Sequence, residues 1–154
     1  MPEKSDPGAR DAVVLHRSLP VTPDDVWPLW TDPTRFAAWY GPPGATVTVH
    51  VLDVQVGGER QVSLGMETPE GEREMHFAGV HLVVDEPTRL HYTEAVVEAP
   101  GAVPDEAATE VQLLLRPSAE GTSLTLTHLG VPSGSPGEAG WSAALDALES
   151  LVST

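Results

Sequence analysis

The spacing of apolar positions changes period several times along this chain, and each change marks an element. Residues 12–19, AVVLHRSL, are β-branched and apolar enough for a strand. Thr22-Pro23-Asp24-Asp25 then reads as a helix start: a hydroxyl N-cap, proline at the first helical position and two carboxylates at the positive end of the helix dipole. Val26, Trp27 and Trp30 follow at helical spacing, but Pro28 removes a backbone hydrogen bond, so a kink or early stop is expected there. Asp32-Pro33 starts a second short helix with Phe36, Trp39 and Tyr40 on one side, and Gly41-Pro42-Pro43-Gly44 ends it.

From Ala45 onward the period is two. Val47, Val49 and Val51 alternate with Thr46, Thr48 and His50, and Gly57-Gly58 turns the chain into 59–67. Further strands are expected at 72–84, 89–97, 109–116 and 122–129, with Pro100 to Ala108 an acidic loop. Short connections make these antiparallel neighbours. After the glycine- and serine-rich stretch GVPSGSPGEAG, one long helix carries Trp141, Leu145, Leu148 and Val152 on one stripe and Ser142, Asp146, Glu149 and Ser153 opposite. The order β, α, α, six β, α predicts an α+β helix-grip fold: a curved antiparallel sheet around a long C-terminal helix, with two short helices after the first strand. Residues 1–11, polar and broken by Pro and Gly, read as a disordered leader, and 12–154 as a single ligand-binding domain.

Composition narrows the function. The net charge of −15 makes nucleic acid and anionic membrane poor partners, because affinity for phosphates rests mainly on Lys and Arg. No apolar run approaches the roughly 20 residues of a membrane span, and no apolar core follows the N-terminal charges as in a signal peptide. With no cysteine as well, a cytoplasmic protein is expected. Five of the eight aromatic residues fall between Val26 and Pro42. So many rings in one short segment point to the wall of a cavity or a recognition surface.

Several motifs in register carry a resemblance: Arg17 with Pro20, VWPLWTDP and WYGP, Asp53 with Gly57-Gly58, Met66 with the PEG at 69–71, Gly79, EPTRLHYTE at 86–94, GTSLTLTH at 121–128 and GWSAALDAL at 140–148. From about Val13 to Leu151 the chain resembles the activator-of-Hsp-90-ATPase homologue family of the START-like (SRPBCC, birch-pollen-allergen-like) superfamily. It departs at Gln55 and Arg60, where the family often places an Arg and an aromatic residue, and at Pro28. The resemblance implies a cavity between sheet and C-terminal helix suited to a small, mostly hydrophobic molecule. Relatives in the superfamily include lipid carriers, aromatase/cyclases and hormone receptors, so the fold alone does not fix the function.

Strand alternation selects the polar groups that can reach such a cavity. If Leu124 and Leu126 point inward so does His128, and if Leu90 does so do Tyr92 and Glu94. The candidate ligand-binding residues are Trp30, Phe36, Trp39, Tyr40, Met66, Met75, Phe77, Tyr92, Glu94, His128, Trp141 and Leu145. The preferred reading is a protein that sequesters or carries a small hydrophobic compound, aromatic ones included, without a cofactor. A cyclase- or hydrolase-like enzyme with Glu94, Tyr92 and His128 as acid/base groups is the second reading, and a co-chaperone-like interaction module the third. The sequence leaves a protein partner or homodimer open. The six histidines show no metal-ligand spacing: His76 and His81 fall on opposite faces of one strand, and no metal is expected.

Overall fold

The computed structural model describes residues 11–102 and 108–153; the expected leader, apart from Asp11, and most of the expected acidic loop lie outside them. Strand β1 (Ala12–Leu19) is followed by three helical segments, α1 (Pro23–Val26), α2 (Pro28–Thr31) and α3 (Pro33–Ala37). Six strands come next: β2 (Thr46–Leu52), β3 (Glu59–Thr68), β4 (Gly71–Asp85), β5 (Arg89–Val97), β6 (Thr109–Ser118) and β7 (Gly121–Leu129). The chain closes with α4 (Pro136–Val152). All strands are antiparallel in the order β1-β7-β6-β5-β4-β3-β2, so β1 returns to pair with β7 while the others form a meander.

Pro28 breaks the first helix where its missing N–H requires. The Trp27 N–H closes α1 on the Pro23 carbonyl, and a separate turn starts at Pro28. Asp32 caps α3 with its carboxylate, accepting from the Thr34 and Arg35 N–H groups at 3.0 and 3.1 Å. At the β2–β3 turn, Gly58 lies against Asp53, and a Cβ there would fall 2.1 Å from the Asp53 carbonyl oxygen, so only glycine fits.

The inner face of the sheet follows strict alternation. Leu90 and Tyr92 of β5, Val111, Leu113 and Leu115 of β6, and Leu124 and Leu126 of β7 are buried and pack in one core with Leu145 and Leu148 of α4. Each such side chain contributes roughly 1.5–3 kcal/mol through removal from water. The polar stripe of α4 is not simply solvated. Arg17 of β1 reaches over it to Asp146 Oδ1 and Glu149 Oε1, both at 3.2 Å, and holds that helix to the β1 edge. The helix also begins earlier than the sequence suggested. Pro136 occupies its first turn, and Glu138 turns back to accept from the Gly134 N–H at 2.6 Å, so the segment Pro136–Gly140 is helix.

Candidate functional site

A cavity of about 250 Å³ lies between α4 and the β3–β4 side of the sheet, away from the edge that Arg17 clasps. On the sheet side it is walled by Leu64, Met75 and Phe77, with Glu94 and His128 deeper along β5 and β7. Tyr40, Gly41 and Pro42 form one rim and Val131 another. The helix side consists of Gly137, Gly140, Trp141 and Ala144. Three of those four helix residues carry one side-chain carbon or none. A Cβ placed on Gly140 would meet nothing within 4 Å, so the space exists because α4 presents no side chain there.

Of the residues expected at a ligand, the structure brings Tyr40, Met75, Phe77, Glu94, His128 and Trp141 together around this cavity. Trp30, Phe36, Trp39, Tyr92 and Leu145 lie behind it in the core. Met66, near the far end of β3 and paired with Arg73, is not part of the wall. The aromatic cluster between Trp27 and Tyr40 thus packs mainly on itself: Trp30 and Trp39 rings are 4.5 Å apart, and Phe36 stacks on Tyr40 at 4.5 Å. The Trp39 indole N–H is spent on the Leu29 carbonyl at 2.8 Å. Only its last ring, Tyr40, reaches the wall, 5.8 Å from Trp141.

The charged centre of the site is an ion pair that alternation in β3 announces. Arg60 shares the inward face with Val62 and Leu64, and its Nη1 donates to Glu94 Oε2 at 3.2 Å, with Arg60 2% and Glu94 6% exposed. Its guanidinium lies over the Tyr92 ring at 3.9 Å and the Phe36 ring at 5.0 Å. Burial alone would lower the Arg60 pKa, but Tyr92, Glu94 and Tyr40 around it outweigh that and raise it. Tyr40 adds a second donor to Glu94 Oε2 at 3.3 Å. Desolvation first and the Glu94 charge second push the Tyr40 hydroxyl well above its usual pKa. Tyr92 is likewise pushed up to about 12, chiefly by burial. Its hydroxyl and the Trp30 indole N–H are neighbours but fall short of hydrogen-bond geometry.

His128 is held differently. The Trp141 indole N–H, which can only donate, reaches His128 Nδ1 at 2.9 Å. His128 Nε2 is therefore the protonated nitrogen and donates to Thr109 Oγ1 at 2.7 Å, whose own proton goes to the Glu94 carbonyl at 2.8 Å. Both ring nitrogens are engaged and the ring is neutral. Burial, the largest influence, lowers its pKa in agreement with this. The expected trio is thus split: Glu94 pairs with Arg60, His128 is tied to Trp141 and Thr109, and Tyr92 lies beneath the guanidinium. Among the described residues no group of three or more His, Asp or Glu side chains is placed to hold a metal ion.

The family described as activator of Hsp90 ATPase homolog 1-like protein matches residues 20–153. The chain belongs to that family. A solved protein from Chromobacterium violaceum is 26% identical, with a TM-score of 0.79 over 94% of this chain and 99% of its own. A Nitrosomonas europaea structure is 28% identical, with a TM-score of 0.73 over 93% of this chain and 94% of its own. The AHSA1 protein of Silicibacter pomeroyi, 22% identical with a TM-score of 0.72 over 91% and 96%, shares the fold. No functionally curated protein matches the chain. Among the described residues no helix is long and apolar enough to cross a membrane.

Proposed function

We propose that this protein is a cytoplasmic, single-domain binding protein that holds a small hydrophobic ligand, aromatic ones included, in the cavity between sheet and α4. The observation that carries the reading is the helix wall. Glycine inside a helix costs roughly 0.8–1 kcal/mol relative to alanine. Gly140 accepts that cost with free space in front of it, where a larger side chain would both stabilise the helix and fill the void. Keeping the void open serves a ligand and not the fold. The wall is predominantly aliphatic and aromatic, with a carboxylate, a phenol and an imidazole as its polar side chains, as small-molecule sites usually are. Binding needs no cofactor on this reading.

Trp141 in the wall is the natural reporter. Titrating the protein with bicyclic aromatic and fatty compounds should give a saturable change in tryptophan fluorescence. A flat response across a broad hydrophobic set would refute the proposal.

A further inference from the structure

Glu94 has two carboxylate oxygens, and among the described residues only one of them is hydrogen-bonded. Both donors that reach the side chain, Arg60 Nη1 and the Tyr40 hydroxyl, converge on Oε2. Among the described residues Oε1 has no hydrogen-bond partner, although the residue is 6% exposed and forms part of the cavity wall. Oε1 is not among the fully buried polar atoms that lack a partner, so it opens on the cavity and is free to accept from whatever fills it. We infer that Glu94 Oε1 is the ligand's polar anchor and selects hydrophobic compounds bearing a neutral hydrogen-bond donor, such as a phenolic or alcoholic hydroxyl.

The charge balance sets the word neutral. Arg60 already compensates the carboxylate, so an ammonium on Oε1 would face a guanidinium bonded to the other oxygen of the same group. An anionic group would meet the carboxylate head on. A hydroxyl or amide N–H meets neither penalty and forms a charge-assisted hydrogen bond. Acceptor-only ligands, such as ketones and ethers, would place a lone pair against Oε1 and be disfavoured.

The inference rests on the cavity's being a ligand site, and its test separates the two claims. Calorimetric titration of the unaltered protein with 2-naphthol, 2-methoxynaphthalene and 2-acetonaphthone should rank the naphthol on the order of tenfold tighter than the other two, from one charge-assisted hydrogen bond gained. Glu94→Gln should abolish that preference, because the naphthol oxygen, the ether and the ketone can all accept from an amide N–H. Because Arg60 and Tyr40 both donate, the amide oxygen takes the Oε2 position and turns its NH₂ into the cavity, which converts an acceptor into a donor. A folded Glu94→Gln protein with an unchanged ranking would overturn the inference. If that variant does not fold, equal affinities of the three compounds for the unaltered protein overturn it just as well, with hydrophobic binding left intact. Failure of all three to bind would sink the binding proposal itself, and this inference with it.

Discussion

Arg60→Met removes a buried cation and leaves the Glu94 carboxylate, among the described residues, with the Tyr40 hydroxyl as its one side-chain donor. Breaking a pair of this kind by deleting one partner costs about 3–5 kcal/mol, because the surviving charge is uncompensated. Against a typical domain stability of about 5–15 kcal/mol that is a large share. At roughly 2–4 °C per kcal/mol for a chain of this size, thermal unfolding should move down by about 6–20 °C. The packing contribution is nearly conserved, since a methionine side chain can still lie between the Tyr92 and Phe36 rings. Electrostatics should therefore dominate, and a double variant decides. Arg60→Met with Glu94→Leu removes both charges and should recover most of the loss, because apolar replacement of a buried pair is often neutral or stabilising. Differential scanning calorimetry on the two single variants and the double would measure this. If Arg60→Met costs under about 1 kcal/mol, or the double is as unstable as the sum of the singles, the pair is not the desolvated couple described here.

Two further outcomes follow from the packing and from the histidines. Leu148→Ala, at a fully buried position of α4, should cost about 2–5 kcal/mol in chemical denaturation, and a silent variant would mean the grip of that helix lies elsewhere. His81, His91 and His128 all have lowered pKa values, chiefly through burial, so the unfolded chain takes up protons at higher pH than the folded one. Their contribution is complete above the ordinary histidine value of about 6.5 and is lost as pH falls below it, by at most about 1.4 kcal/mol per pH unit per group. Denaturation midpoints between pH 7 and 5.5 should fall accordingly, and His128→Gln should flatten the slope; a slope unchanged in that variant would place His128 outside this linkage.

Much of this architecture was legible in the chain because the period-two signal survives folding unchanged. Alternation puts Leu90, Tyr92 and Glu94 on one face, and Leu124, Leu126 and His128 on one face, and all six side chains are buried. The same rule applied to β3 places Arg60 beside Val62 and Leu64, so the buried cation was available to the reading. A charged residue next to a glycine turn reads instead as solvated, and its partner is 34 positions away. The aromatic cluster was harder. Its rings sit on or beside helical segments of four or five residues, too short for periodicity to separate faces, and most of them bury against each other in place of the cavity. Gly137 and Gly140 fall in the glycine- and serine-rich stretch before the expected helix, yet they lie inside α4. Pro136 at the start and Glu138 in the first turn carried the helix signal, and tertiary packing of Trp141 and Leu145 decided it.

The central claim is that the space in front of Gly140 is kept for a ligand, and Gly140→Leu tests it most directly. A leucine there would project into the cavity from a helical backbone position with no neighbour within 4 Å of its Cβ. The variant should be at least as stable as the unaltered protein, by about 1 kcal/mol or more from helix propensity and added burial. In the tryptophan titration with 2-naphthol it should lose the saturable response that the unaltered protein gives. A Gly140→Leu protein that folds and binds with unchanged affinity would contradict the account, because the ligand would then occupy some other part of the molecule.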